Sequence, residues 1–252
     1  MTSAQLISWV VSAITFGTVI MFGCIGETIN QKAGNLNLGV PGIMQLGGIG
    51  ALTGAFIYES STATPNGTIG MICALLCAIL ASALGSLIYS FLTVTLKANQ
   101  NVTGLTLTIF GTGIANFFGG SLMKLSGGVG SISVATTANV FKLRLPFISG
   151  KLGLFGSLFL NYGWMAYFCL VLAFVANYFL TKTRTGLNLR AVGENPATAD
   201  AAGINVTKYK YLASIIGGAI CGLGGLFYVM DYIQGTWAND NTIEALGWLA
   251  VA

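Results

Sequence analysis

Arg190-Ala-Val-Gly-Glu-Asn-Pro-Ala-Thr-Ala-Asp-Ala-Ala-Gly-Ile-Asn205 is a compact polar stretch between two long apolar runs. Its local chemistry spells a short, capped helix. Asn195 can accept from the free amides of a helix start, and Pro196 suits the first helical position. Residues 197–202 favour helix, and Gly203 supplies a stop. That makes a helix of about two turns, with Glu194 and Asp200 exposed. Glu194 lies just outside the N-terminus, where negative charge is favoured. An ordered, charged elbow between spanning helices must face water. It is a natural contact surface for another protein, although a generic capped loop helix accounts for the same residues.

The flanks decide the fold class. Apolar residues make up 54% of the 252-residue chain and charged residues 7%, against about a quarter charged in soluble domains. Such a chain cannot cover a water-facing surface and reads as a polytopic membrane protein. Six runs reach the roughly 20 residues that a bilayer core demands: 6–25, 38–58, 69–96, 102–123, 162–180 and 211–230. A seventh begins at 245–252 and stops with the chain, without a flanking charge. The expected fold is an all-α, polytopic transmembrane helical bundle of six complete spans plus the start of a seventh. Residues 1–252 form a single domain, read as C-terminally truncated. The first run lacks a basic leader and an A-x-A site, so it is a retained span and not a cleaved signal.

Basic residues set the orientation. Lys182, Arg184, Arg190, Lys208 and Lys210 are five of the eleven Lys and Arg residues, so segment 181–210 is placed in the cytoplasm. Counting spans backwards puts Gln31, Lys32 and Lys97 inside, and 1–5, 59–68 and 231–244 outside. The outside segments carry no Lys or Arg. Segment 124–161 falls outside yet holds Lys124, Lys142, Arg144 and Lys151. A missed span there would shift the parity. Its alternating stretch Ser131-Ile-Ser-Val-Ala135 suits an external cap or short strands, and a partly ordered loop is the alternative.

Several chemistries are disfavoured. There is no histidine, which removes the commonest general base and metal ligand; no metal site is expected. The cysteines (24, 73, 77, 169 and 221) all fall in apolar runs and read as small hydrophobes. Gly150-Lys151 is followed by Leu152, and position 145 is Leu145, so a phosphate-binding loop is not formed. Gly50-x-x-x-Gly54 and Gly218-x-x-x-Gly222 are small-residue packing faces, more suited to packing within the chain than between chains. Trp9, Trp164, Trp237 and Tyr162 fall near span ends as interfacial anchors do, and Trp237 also suits contact with an external binding protein.

A second polar block opens the chain: Gly26-Glu-Thr-Ile-Asn-Gln-Lys-Ala-Gly-Asn-Leu-Asn-Leu-Gly-Val-Pro-Gly-Ile-Met44. Pro41, with Gly34, Gly39 and Gly42 around it, predicts a broken or re-entrant helix near 34–44. Broken helices at membrane depth survive where they face protein or a wet cavity, and in transporters they often line the substrate site. Glu27, Asn35, Asn37 and Gln45 are therefore the candidate translocation-pathway residues. Glu27 reads as the only acidic residue near a span in the first half of the chain. Two roles suit it: a functional carboxylate, or an interfacial one that pairs with Lys32 and fixes the loop.

The stretch from Arg190 to Val206 resembles the cytoplasmic coupling motif of ATP-binding-cassette (ABC) importer permeases, in the branch serving ribose, other simple sugars, nucleosides and branched-chain amino acids. Residues 26–44 resemble the first block of the same family, nearest to its nucleoside and simple-sugar permeases, whose pattern runs GE…(E/Q)(K/R)xGxxNLGxxGxM. Gly247-Trp-Leu-Ala250 is similar to a block that normally continues into further spans. The resemblance implies that Gly193, Glu194, Asn195, Pro196, Ala199, Asp200, Ala202 and Gly203 couple to a separate ATPase. It implies no cofactor in this chain, with ATP and Mg bound by cytoplasmic ABC ATPase subunits. It also implies a second permease subunit, identical or homologous, an external substrate-binding (lipo)protein, and a place in the bacterial cytoplasmic membrane. The chain departs at Pro41, where many nucleoside-type members carry an acidic residue; this bears on the substrate and not on the family.

The expected activity is import of a nucleoside or simple sugar by alternating access, without covalent chemistry or nucleic-acid binding. An ion-gradient transporter is the alternative, but it needs ionisable groups inside spans, and only Glu27 comes near. An integral-membrane enzyme is disfavoured by the missing histidine and by the lack of paired carboxylates within a span.

Overall fold

The computed structural model describes residues 3–125, 132–142, 161–237 and 242–252. All secondary elements among them are helices: α1 (Ser3–Lys32), α2 (Val40–Ser61), α3 (Gly67–Ser90), α4 (Gln100–Leu125), α5 (Ala135–Phe141), α6 (Trp164–Lys182), α7 (Arg184–Glu194), α8 (Pro196–Ala201), α9 (Val206–Phe227) and α10 (Thr242–Val251). Two π turns extend them, Phe91–Thr95 after α3 and Tyr228–Tyr232 after α9. Six helices are long and apolar enough to cross a membrane, and they match the six runs read from the sequence.

Burial sorts these six into layers. The apolar windows of α2 and α9 are 78% and 72% buried, whereas those of α3 and α6 are 28% and 22% buried. The first pair is therefore the axis of the bundle, and the second lies at its periphery. Glycine makes the axis possible. A Cβ at Gly26 would strike the Gly217 carbonyl, one at Gly47 the Gly222 backbone, and one at Gly42 the Leu107 carbonyl. Helices in lipid gain nothing from hiding apolar surface, so close backbone approach is what holds them. The two small-residue faces serve this inside the chain. Gly50 and Gly54 meet Cys77 of α3, and Gly218 and Gly222 meet Ser86 and Ser82 of α3.

The two ends of the bundle differ. At one end lie the α1–α2 turn, Gln100 and the α7–α8 elbow, because Leu36 N donates to Gln100 Oε1 at 2.8 Å and Asn35 reaches the Lys210 carbonyl. At the other end α5 packs on α3, and Phe141 stacks on Trp164 with ring centroids 5.9 Å apart. Gly119 of α4 lies against Trp237, and Gly163, just before α6, lies against Asp231. So α4 ends and α6 begins at the same end, and the parity read from the basic residues holds.

Several sequence expectations change. Pro41 starts α2 instead of interrupting a helix; the irregular stretch is limited to residues 33–39. The 131–135 stretch gives one isolated bridge, Ser133 to Thr236, followed by helix α5; residues 126–131 and 143–160 lie outside the described part. Trp237 is 2% exposed, so it is a packing residue and not a surface for a partner. Glu59 belongs to the last turn of α2, where it accepts from Thr137 N at 2.8 Å and Thr137 Oγ1 at 2.7 Å. Glu27 is thus not alone near the spans. Glu244 too sits in a helix, α10, and accepts from Thr112 Oγ1 of α4 at 3.3 Å.

Candidate functional site: an exposed elbow and a buried polar junction

The elbow is two short helices in series. Thr183 caps α7 by accepting from Gly186 N at 3.1 Å. Asn195 closes α7 and opens α8, its Oδ1 accepting from Thr198 N at 3.1 Å. Pro196 takes the first helical position, where no amide is needed. Gly203 ends α8 with φ +81; its amide bonds the Asp200 carbonyl at 2.8 Å, and Ile204 N bonds the Ala199 carbonyl at 3.0 Å. Asn205 then caps α9 through Lys208 N at 2.9 Å. Glu194, Asn195, Pro196, Asp200, Ala202 and Gly203 are exposed, Gly193 is half-buried, and Ala199 is buried. The outer face of α8 is exposed, with Thr198 and Asp200 as its polar side chains, while Ala199 anchors it from below.

The second block forms a buried junction at the same end. Glu27 is 2% exposed and lies inside α1, one turn before its end. Its Oε1 accepts from Asn37 N at 3.1 Å and its Oε2 from Asn30 Nδ2 at 3.3 Å. The carboxylate therefore fixes the α1–α2 turn, as expected of an interfacial acid, but its partners are amides of the turn and of α1, not Lys32. Asn30 Oδ1 accepts from Ser214 Oγ at 2.8 Å, and Ser214 Oγ accepts from Asn35 Nδ2 at 3.0 Å. Asn37 Oδ1 accepts from Gly39 N at 2.8 Å. Tyr89 Oη of α3 donates to the Leu36 carbonyl at 2.7 Å, and Thr108 Oγ1 of α4 donates to the Leu38 carbonyl at 3.0 Å. Five helices meet here, and the turn's backbone is satisfied by side chains from three of them. Glu27, Asn35 and Asn37 thus share one network. Gln45 stands apart on α2, 2% exposed. Its Oε1 and the Asn35 Oδ1 are buried acceptors without a hydrogen-bond partner among the described residues.

Elbow and junction touch. Gly34, with φ +78, lies against Gly193: a Cβ at Gly34 would sit 3.1 Å from the Gly193 Cα, and one at Gly193 would strike the Lys32 carbonyl. Two blocks 159 positions apart in sequence are therefore in backbone contact through a pair of glycines.

Sequence reading missed α7 and the network's outer members, Asn30, Tyr89, Gln100 and Ser214. For α7 the trace was present, since its buried residues Gly186, Leu189 and Val192 recur every third position. For Ser214 there was none, because a serine inside an apolar run looks the same whether it bonds its own helix or a neighbour.

Residues 9–252 match the family model described as branched-chain amino acid transport system / permease component. The chain is 33% identical over 247 residues to a putative glucose ABC transporter permease protein of Haloferax volcanii, covering 96% of this chain and 68% of that one. It is 29% identical to a nucleoside ABC transporter permease protein of Lactococcus lactis, covering 96% and 73% of the two chains. It is 28% identical to a guanosine ABC transporter permease protein of Bacillus subtilis, covering 100% and 76%. No solved structure matches. An exposed capped elbow that leans on a buried junction of spanning helices, with a family match over nearly the whole chain, makes this protein a member of the permease-component family of the branched-chain amino acid transport system.

Proposed function

We propose that this permease carries a nucleoside or simple sugar inward across the cytoplasmic membrane as part of an ABC importer. The names of three relatives, a glucose, a nucleoside and a guanosine permease, support that substrate class. Cytoplasmic ABC ATPase subunits bind ATP and Mg. An external binding protein delivers the substrate, and a second permease subunit completes the pore. The family match weighs against the ion-gradient alternative.

The observation that carries the mechanism is the Gly193–Gly34 contact. The ATPase grips Glu194, Asn195, Pro196, Asp200, Ala202 and Gly203 on the exposed face of the elbow. Displacement of α8 moves Gly193, and Gly193 bears directly on the Lys32 carbonyl and Gly34. That push reaches Glu27, Asn35 and Asn37, which pin α1 to α2 and, through Ser214, to α9. Since α2 and α9 form the bundle axis, a shift at this junction changes their relative tilt, and access alternates. Gln45 is assigned to the pathway because its side-chain oxygen is buried without a partner among the described residues, which is unfavourable, and a passing hydroxylated substrate would satisfy it.

Co-purification tests this reading. The wild-type permease is expected to retain its ATPase, and Glu194→Ala and Gly203→Val to lose it while still inserting in the membrane. Wild-type uptake by both variants overturns the coupling assignment. A thermal-shift screen of the partner binding protein against nucleosides, pentoses and hexoses then fixes the substrate class.

A further inference from the structure

Beside the elbow, α1 and α6 frame a groove of about 390 Å³. Its mouth is cationic: Lys32 closes α1, and Arg190 projects from α7. Its walls carry Asn177 and Thr181 of α6, and its floor is apolar, with Ala173 and Ala176. No carboxylate lines it. The two walls are spans that each end in a lysine, Lys32 and Lys182, so the groove opens at the level where hydrocarbon meets headgroups. Asn177 and Thr181 are exposed on a helix whose apolar window is only 22% buried. The Thr181 hydroxyl bonds its own helix at the Asn177 carbonyl, 2.7 Å away, and no described residue bonds the Asn177 side-chain amide. An amide facing lipid without a partner is expensive unless a headgroup or glycerol oxygen reaches it.

We propose that this groove binds an anionic phospholipid of the cytoplasmic leaflet, with the phosphate between Lys32 and Arg190, Asn177 bonded to a glycerol or ester oxygen, and an acyl chain along Ala173 and Ala176. Basic pockets between spans on the cytoplasmic side are suited to such headgroups. The arginine offers a fork of donors to a phosphate, and the lysine a point charge. A soluble anion would use the two cations but leave the apolar floor uncovered. A second copy of this chain docking by the same face would bring like charges into one interface. Arg190 lies on α7 three residues before Gly193, so the bound headgroup ties the arm of the elbow to α1 and α6. The site stands on its own geometry, whatever the permease carries.

Native mass spectrometry of the detergent-purified chain, exposed in turn to phosphatidylglycerol and phosphatidylcholine, tests it. Phosphatidylglycerol is expected to be retained in preference. The double variant Lys32→Gln/Arg190→Gln loses that retention by roughly tenfold or more, with phosphatidylcholine unchanged. The charge-preserving Lys32→Arg/Arg190→Lys keeps it. Ala173→Leu fills the floor and weakens retention with both cations in place, which decides the matter should the double variant aggregate. Equal retention of the two lipids, or unchanged phosphatidylglycerol retention in the double variant and in Ala173→Leu, overturns the proposal. Competition by glycerol 3-phosphate as strong as by phosphatidylglycerol overturns the lipid in favour of a soluble anion. Cross-linking of a Thr181→Cys variant into homodimers in native membranes overturns it in favour of a second copy.

Discussion

Two connections meet at one end of the bundle, and both are rich in asparagine, but they use it in opposite ways. In the elbow, Asn195 and Asn205 bond amides three residues along, and each starts a helix. In the α1–α2 turn, Asn35 reaches Ser214 and the Lys210 carbonyl, more than 170 residues away. The elbow asparagines are exposed, while Asn35 and Asn37 are 1% and 2% exposed. Water competes for the first pair, so their worth is local and modest. Burial shields the second pair: the Asn35 side chain ties the turn to α9, and Asn37, whose side chain bonds Gly39 N within the turn, is tied to α1 through its own amide and Glu27. The lesson is that an exposed polar turn can move as a unit, while a buried one is a pin that transmits force.

That contrast can be broken where the two meet. Gly193→Val places a branched side chain on the Lys32 carbonyl. Uptake in vesicles with ATPase and binding protein present is expected to fall about 5- to 150-fold, the range of ordinary coupling free energies, with membrane insertion intact. Uptake equal to wild type would mean that elbow and junction are mechanically independent. The pin itself is weakened by Ser214→Ala, which strips a donor from Asn30 Oδ1 and an acceptor from Asn35 Nδ2. Thermal unfolding in detergent is expected to show a loss of about 1–2 kcal/mol, and an Asn30→Ala/Ser214→Ala cycle a non-additive remainder. Asn195→Ala removes only a cap, costing about 1 kcal/mol. Its faster amide exchange should be confined to residues 196–201, and spread into α1 would blur the distinction between lever and pin. The smallest change in stability is expected for Gln45→Leu, within about 0.5 kcal/mol or slightly stabilising, since it deletes an unpartnered acceptor. Uptake should nevertheless drop, and unchanged uptake would remove Gln45 from the pathway.

How much of this was legible in the sequence depends on the range of the interactions. The spans were readable because hydrophobic runs need only local arithmetic. The second helix of the elbow, α8, was readable, because Asn195, Pro196 and Gly203 act on their own neighbours, whereas α7 was not. The junction was half readable. Glu27, Asn35 and Asn37 stand out as polar residues in an apolar chain, but their partners come from α1, α3, α4 and α9, and no local rule names Tyr89 or Ser214. Pro41 misled for a related reason. A proline punctuates a helix, and only the cap at Gly39 and the α2 start at Val40 tell which side of the mark the helix lies on. Glu59 and Glu244 fall in the segments that span counting places outside, whereas each lies in a helix and is absorbed by a threonine of a neighbouring helix.

The π turn at Phe91–Thr95 sets a phase. It holds one residue more than an α-helical ladder would, and each residue is worth about 100° around a helix. Shortening that turn by a single residue would swing Leu96 by that angle and re-aim the irregular link 97–99, where Lys97 has φ +53, that leads into α4. That link sets where α4 begins, and with it the reach of Gln100 to Leu36 and Gly34. A one-residue deletion between 91 and 95 should therefore loosen the hold of Gln100 on the first turn. A bulge that looks like an imperfection thus fixes the point from which one span hands the chain to the next.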